Sequence, residues 1–77
     1  MTLSKAEAGK MYAMVGLEGG WAFREKIFSM GLNSGVRFRV ITNSGHGPIG
    51  LEVRQTKLGI GRGMAEKIKV LEIDSEE

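Results

Sequence analysis

The chain has 77 residues, a formal net charge of +2 and no cysteine. This length allows one domain with one small core, because a chain of about 60 residues buries only about 60% of the surface that its unfolded form exposes. Without cysteine, neither a disulfide framework nor a thiolate metal site can form. No apolar run approaches the ~20 residues of a membrane span, and the first residues lack the apolar run of a signal peptide. We therefore expect a cytoplasmic protein made of a single domain over residues 1–77.

The charges are unevenly distributed along the chain. Of its 9 acidic residues, four lie within residues 72–77, so residues 1–71 hold 11 basic residues against the other five. A basic body favours nucleic acid, an anionic membrane surface or an acidic protein as partner, and ordinary solubility is the alternative. We expect the acidic end, residues 72–77, to be partly disordered.

The N-terminal part predicts a helical turn and a first strand. Ser4 and Glu7 have the spacing of a capping box, which predicts one helical turn over residues 4–8. Leu3 and Ala6 would then contact the core. A strand is expected over residues 10–16 and a loop over residues 17–20.

The most strongly specified stretch begins with a short helix over residues 21–30. At 100° per residue, Phe23, Ile27 and Met30 fall on one narrow face, as in a helix that faces a core. Gly31 follows where the chain must turn left-handed to end a helix. The turn residues at 33–35 then lead directly into a strand, which sets the angle between the two elements.

Beyond this turn the hydrophobic period changes to two, which is typical of strands. The alternation over residues 36–42 points three apolar side chains inward and Arg37 and Arg39 outward. The remaining elements are expected as a hairpin loop over 43–48, a strand over 49–54, a turn over 55–57, a short strand over 58–61 whose glycines permit curvature or close backbone approach, a helical turn over 64–67 and a closing strand over 68–73. The fold class is therefore mainly β: a small, strongly bent antiparallel barrel of about five strands, with one short helix after the first strand and short helical turns near each end.

Few residues suit catalysis or metal binding. His46 is the only histidine, and a metal site would need Glu18 or Glu52 to converge on it. All serines would depend on the same histidine as a base, and the carboxylates are scattered. We therefore expect no enzyme activity, no metal site, no cofactor and no small-molecule substrate. The methionines are expected to fill the core: Met11, Met14, Met30 and Met64.

The outward basic residues are the best candidate for a nucleic-acid surface. They comprise Arg37, Arg39 and Arg54, with Lys57 beside them. Small barrels that bind single strands usually carry aromatic side chains on the basic face, but Phe38 points inward here. An unspecific phosphate contact is the alternative function, and sequence readout is not expected.

The helix also predicts a protein-binding surface. Trp21 and Phe28 are seven residues apart and point almost opposite to the inner stripe. They are covered by a loop or the terminal turn, form a dimer contact that supports weak self-association, or lie exposed beside Arg24. Exposed aromatic residues flanked by arginine are typical of interface hot spots. We predict that Trp21, Arg24 and Phe28 meet a partner protein, with Arg37 and Arg39 steering the approach.

Several segments together resemble one protein family. The run from Arg24 to Gly35 is similar to the arginine-rich helix, Met-Gly-Leu stop and glycine turn of the ferrous iron transport protein A family (FeoA). Further matching segments are Leu3, Ala6 and Gly9 at the start, Gly47-Pro48 with the strand after it, Leu58-Gly59-Ile60-Gly61-Arg62, and the closing Ala65, Ile68 and Val70.

This resemblance implies an SH3-like barrel with a cytoplasmic accessory role in ferrous iron transport. The implied partner is the GTP-hydrolysing membrane permease that imports ferrous iron, which could recruit the protein to the inner face of the membrane. The resemblance also implies transition metal ion binding. It further implies kinship with the SH3-like domains of iron-dependent repressors, so a metal-dependent transcriptional regulator system is a further alternative. The chain differs from the family pattern at Trp21, Phe28, Gly61 and Gly63. These differences concern the partner surface rather than the fold.

Overall fold

Five antiparallel strands form one sheet in the computed structural model, which describes residues 1–73. The elements are a 3-10 turn (Leu3–Lys5), β1 (Met11–Leu17), α1 (Trp21–Ser29), β2 (Arg37–Thr42), β3 (Ile49–Val53), β4 (Thr56–Ile60), α2 (Arg62–Ala65) and β5 (Ile68–Ile73). The strand order is β4-β3-β2-β1-β5. Register shifts in β1 and β2 mark bulges, which bend strands. The predicted mainly β fold, with one helix after the first strand and short helical turns near each end, is confirmed.

The core lies on the inner face of this sheet, where side chains alternate as predicted. Phe38 and Val40 are buried on β2, and the Phe38 ring stacks on Tyr12 of β1 with ring centroids 6.2 Å apart. The Tyr12 hydroxyl is buried with its ring and accepts a hydrogen bond from the backbone N–H of Glu7 at 2.8 Å. The predicted core contacts of the N-terminal turn are confirmed for Leu3 and Ala6.

The N-terminal turn itself differs from the predicted capping box. Ser4 lies inside the 3-10 turn, and its Oγ is 2.8 Å from the Oγ1 of Thr2 instead of capping a backbone N–H. The Glu7 N–H is used by the Tyr12 hydroxyl, and the chain is already extended at Ala6, with ψ of 151°. A helix over residues 4–8 is therefore wrong, because a side chain from β1 supplies a partner that local spacing does not show.

The end of α1 has the predicted left-handed glycine. Gly31 has φ of +90°. Its N–H donates to the Phe28 carbonyl at 3.0 Å, and the Leu32 N–H donates to the Ile27 carbonyl at 3.3 Å. This pair of bonds is a Schellman motif, in which the residue after the glycine folds back onto the last helical turn. Leu32 is buried accordingly, and the motif turns the chain from α1 towards β2.

The turn between β3 and β4 is shorter than predicted. Val53 pairs with Thr56, so Arg54 and Gln55 alone form the turn in place of residues 55–57. Both have positive φ, +51° and +69°, as a type I′ hairpin requires. Arg54 is therefore a turn residue and not the outward strand residue that was predicted. The alternation of apolar and polar residues continues from β3 into the turn, so it does not mark where the strand ends. β4 and α2 also begin two residues earlier than predicted.

Two polar side chains hold the loop between β2 and β3 to the N-terminal turn. The Asn43 Nδ2 donates to the carbonyls of Ser4 at 3.2 Å and Ala6 at 2.7 Å. Arg62 donates to the same Ser4 carbonyl at 3.2 Å and to Asn43 Oδ1 at 2.6 Å. In the sequence Asn43 is recognisable only as a turn residue. This network, which joins three distant segments, could therefore not be predicted from local sequence patterns.

A close backbone approach occurs at a different glycine from those predicted. A Cβ on Gly50 of β3 would lie 2.6 Å from Thr42 Oγ1, so only glycine fits there without a shift. Gly59 and Gly61 have ordinary space, with nearest atoms at 3.8 and 3.7 Å. The close approach thus lies on the strand beside the one predicted.

The prediction of disorder covered residues 72–77. Glu72 lies within β5, and partial disorder of this segment stays a prediction. The remainder, residues 74–77, lies outside the described residues.

Replacing Gly31 with valine tests the left-handed stop. We expect Gly31→Val to lower the free energy of unfolding by at least ~1 kcal/mol, because a Cβ is unfavourable in this conformation. Thermal melting followed by circular dichroism measures the effect. Gly63→Val is the matched control, since Gly63 has open space and no positive φ. Equal melting temperatures for Gly31→Val and the parent would contradict the proposed role of the glycine.

Replacing Gln55 with glycine tests the turn. We expect Gln55→Gly to stabilise the fold by up to about 1 kcal/mol, because the left-handed strain that it relieves, about 1–2 kcal/mol, exceeds the about 0.4–1 kcal/mol that glycine costs by adding entropy to the unfolded chain. Urea denaturation gives the midpoint shift. The neighbouring Thr56→Gly lies in β4 and should destabilise instead. A lower midpoint for Gln55→Gly would show that the turn is not strained as described.

Replacing Asn43 with alanine tests the network. Asn43→Ala removes the donor to the Ala6 carbonyl, one of the two donors to the Ser4 carbonyl and one acceptor of the Arg62 guanidinium, and we expect a loss of about 1–3 kcal/mol. Asn33→Ala is the control, because Asn33 is exposed and contributes only its backbone carbonyl, to the Val36 N–H. Urea denaturation measures the free energy of unfolding of both variants. Equal losses of stability would show that Asn43 has no special role.

Candidate protein-binding surface

Trp21, Arg24 and Phe28 lie together on the outer face of α1, and we call this group the helix surface. Residues three, four and seven apart share one side of a helix. Trp21 is 77% exposed and Phe28 is 42% exposed, whereas Ile27 on the opposite side is completely buried. Within the described residues neither a loop nor the terminal turn covers the two aromatic rings, so the alternative that they are covered is wrong.

The inner face of α1 is positioned by Phe23 and its neighbours. Phe23 is half-buried and packs against the core, and the Lys67 ammonium lies 5.3 Å from its ring centroid. Gly19 has φ of +144°, and a Cβ there would lie 2.8 Å from Cδ2 of Phe23. Glycine is therefore required where the loop before α1 crosses this ring. This contact fixes the start of the helix and leaves Trp21 pointing outward.

Arg24 connects the helix surface to the preceding loop. Its Nε donates to the Gly19 carbonyl at 3.2 Å, and its Nη2 donates to the Leu17 carbonyl at 3.0 Å. Both acceptors are neutral, so the guanidinium is held in place while its charge stays uncompensated among the described residues. An oriented cation next to exposed aromatic rings is the composition of an interface hot spot.

Arg37 and Arg39 lie on a different part of the molecule. Both are exposed on β2, as predicted, and their partners across the strands are Ala13 and Met11 of β1. The Nη1 of Arg39 donates to the Gly9 carbonyl at 3.2 Å. Within residues 1–73 no hydrogen bond or ion pair joins them to the helix surface, so the five residues predicted as one surface form two groups. Their joint role towards a partner stays a prediction.

The basic residues considered for nucleic acid do not form a continuous row. Lys57 of β4 is opposite Glu52 of β3, which is in turn opposite Arg39. A carboxylate thus separates two of the bases, and Arg54 lies in the turn. Phe38 is buried, as predicted, and is not available for stacking on a base.

Three ion pairs complete the electrostatics of the described residues, and all of them involve lysines. The Lys69 ammonium lies 2.8 Å from the Glu18 carboxylate, and this hydrogen bond with its charge lowers the pKa of Glu18. Lys10 lies 3.2 Å from Glu7 and 3.6 Å from Glu72, and its pKa is raised, chiefly by the hydrogen bond to Glu7. The charges of Lys10 and Lys69 are thus compensated, in contrast to the charge of Arg24.

In residues 1–73, no three His, Asp or Glu side chains are grouped so that they could hold a metal ion. His46 is exposed in the loop between β2 and β3. The longest helix described, α1, has 9 residues, and none has the length and apolar character to cross a membrane.

The methionines follow the prediction with one exception. Met14 is buried, and Met30 and Met64 are half-buried against the core. Met11 is half-buried on the opposite side of β1 from Tyr12, so core filling is wrong for it. Apolar residues on both sides of β1 blurred the alternation there.

The fold also occurs within larger proteins. The manganese regulator SloR superposes on this chain with a TM-score of 0.82 at 15% identity, over 94% of this chain and 34% of that one. At this identity the likeness shows the fold alone.

Relatives of similar length show both fold and family. A crystal structure described as iron uptake regulatory protein (FeoA) has a TM-score of 0.89 and 32% identity, over 95% of this chain and 97% of that chain. The "Putative Fe(2+) transport protein A" of Methanocaldococcus jannaschii is 32% identical over 68 residues, which is 88% of this chain and 82% of the relative. The family model described as FeoA domain matches residues 1–72. With its SH3-like β fold and these matches over nearly its whole length, the chain belongs to the FeoA family, whose members are accessory proteins of ferrous iron transport.

Proposed function

We propose that this protein is a non-catalytic accessory module of ferrous iron uptake, which binds or regulates the cytoplasmic GTPase part of a membrane iron permease. The observation that carries the proposal is the exposure of Trp21, at 77%, on a helix whose inner face packs against the core through Ile27 and Phe23. The family supplies the process, and the helix surface supplies a means of contact. In this proposal the protein acts in the cytoplasm and is recruited to the membrane by its partner.

The energetics of the helix surface support a role in binding. Trp21 and Phe28 are among the largest apolar side chains in the protein, yet they add little to the core while exposed. Truncating a tryptophan or arginine at the centre of an interface costs ~2 kcal/mol or more, and aromatic contacts lose little conformational entropy. Arg24 is already oriented by two backbone carbonyls, so less ordering is needed when it meets an acceptor on the partner.

The described side chains give little support to catalysis. Glu7, Glu18 and Glu72 are engaged with lysines at exposed positions, where a tuned acid–base pair is not built. His46 is exposed, and its backbone carbonyl accepts a hydrogen bond from the Ser44 hydroxyl at 3.1 Å. These features fit a module that works through contact rather than chemistry.

Binding to the GTPase part of the permease tests the proposal. The full chain is titrated by calorimetry with the purified cytoplasmic GTPase domain of the iron permease from the same organism, with GDP and with a GTP analogue. We expect binding in at least one nucleotide state, and Trp21→Ala should weaken it at least about tenfold, or ~1.4 kcal/mol. Its melting temperature should change little, because the side chain is exposed.

Lys26→Ala is the matched control for this experiment. Lys26 is exposed on α1 but points away from the helix surface, so its loss should leave affinity unchanged. Absence of binding in both nucleotide states would overturn the proposed partner. A stoichiometric ferrous-ion site tighter than about micromolar would overturn the absence of a metal site. Salt-sensitive, micromolar binding of single-stranded nucleic acid that is lost in Arg37→Glu would favour the alternative function.

A further inference from the structure

A second exposed surface lies on the outer side of the sheet, away from α1. We propose that this strand surface, formed by Val15 and Leu71 with Arg37 and Arg39 beside them, binds an acidic segment of a partner protein that also carries apolar side chains. The proposal does not rest on the proposed function, because it concerns different residues and a ligand defined only by its chemistry.

The apolar half of the strand surface lies on β1 and β5. Leu71 is 60% exposed and lies opposite Ala13 in the register of the two strands. Val15 is 53% exposed at the bulge where the pairing of β1 shifts between Met14 and Gly16. Leu71 is paired within β5 and Val15 lies at the bulge of β1, so the backbone of both residues belongs to the sheet. Neither contributes to the buried core, so the fold does not account for an apolar side chain at either position.

The basic half begins on the next strand. Arg37 lies opposite Ala13, which lies opposite Leu71, so one row across three strands runs from a guanidinium to an exposed apolar side chain. Neighbouring strands are separated by about 4.8 Å, which places the backbones of Arg37 and Leu71 about 10 Å apart. Arg39 and Met11 form the adjacent row. One short peptide segment can therefore contact both halves at once.

The arginines of this surface form no ion pair among the described residues, although Glu52 of β3 lies opposite Arg39 in the register of the strands. Within residues 1–73 the ion pairs belong to Lys10 and Lys69, and no carboxylate lies within 4.0 Å of an arginine nitrogen. The side chain of Arg39 donates only to the neutral Gly9 carbonyl, and the side chain of Arg37 makes no hydrogen bond among these residues. The guanidinium groups of Arg37 and Arg39 can therefore bind carboxylates of another molecule.

This combination selects an acidic protein segment over other occupants. Guanidinium groups recognise carboxylates through paired hydrogen bonds, and the neighbouring Val15 and Leu71 favour apolar side chains beside the acids. Nucleic acid would leave the apolar half unused and would find no exposed aromatic ring on this face. A second copy packed on the same face would bring in further arginines, and like charges at an interface are unfavourable. An interfacial membrane contact normally needs a long apolar stripe with aromatic residues, and this surface has two aliphatic side chains.

Nuclear magnetic resonance on the isotope-labelled full chain tests this inference. The probe is a short synthetic peptide in which glutamates flank leucines, and the control probe carries lysine in place of each glutamate. We expect the glutamate peptide to shift the backbone signals of Val15, Leu71 and Arg37, with an affinity that falls as salt rises. The lysine peptide should leave them unchanged.

Variants separate the two halves of the strand surface. Leu71→Asp should raise the Kd for the glutamate peptide by about tenfold or more, and Arg37→Gln should weaken binding and reduce its salt dependence. Lys26→Ala is the matched control, because it removes one positive charge at an exposed residue of α1 outside both surfaces, and it should bind as the parent does. If Leu71→Asp fails to fold, Leu71→Ser serves in its place.

Four outcomes would overturn the inference. They are no shift with the glutamate peptide, equal shifts with both peptides, shifts confined to the helix surface, or an unchanged Kd in both Leu71→Asp and Arg37→Gln. Two further measurements would assign another occupant and overturn it as well. The first is a concentration-dependent dimer in sedimentation that Leu71→Asp abolishes, which would assign a second copy. The second is co-sedimentation with vesicles of phosphatidylcholine and phosphatidylserine that Leu71→Asp abolishes, which would assign a lipid surface.

Discussion

The left-handed stop at Gly31 is the constraint on which the rest of the structure depends. Its Schellman bonds end α1 and bury Leu32, so the helix cannot rotate about its axis independently of the chain that leads into β2. The rotation of α1 decides that Ile27 faces the core and that Trp21 faces outward. Because β2 pairs with both β1 and β3, the same turn also fixes where the outward arginines lie on the sheet.

Charge is arranged in two ways on this small domain, and the difference gives it two distinct surfaces. Exposed lysines on β5 and before β1 are neutralised by nearby carboxylates, whereas the arginines meet only neutral carbonyls or no partner within residues 1–73. Each group of uncompensated arginines lies beside exposed apolar side chains, Trp21 and Phe28 in one case and Val15 and Leu71 in the other. A small core leaves few apolar residues to spare, so their exposure at both places fits a protein that works by contact with partners.

Local patterns in the sequence determined the periodic elements and their faces. The alternation in β2 predicted that Phe38 is buried and Arg37 exposed, and the spacing of seven residues predicted that Trp21 and Phe28 share the outer face of α1. The glycine after the helix predicted a positive φ, which is +90° at Gly31. These features could be predicted because each depends on residues that are close to one another in the sequence. Periodicity and steric limits act at that range.

Only the tertiary structure decided features that join distant segments. Asn43 meets Arg62 and the N-terminal turn through the fold, and the Glu7 N–H goes to the Tyr12 hydroxyl instead of a capping box. The row from Arg37 through β1 to β5 follows from strand order and register, which one sequence does not specify. The physical reason is that hydrogen-bond partners and exposure depend on which strands become neighbours. The sequence by itself therefore determined the elements and their inner and outer faces, while tertiary packing decided which outward residues form a surface together.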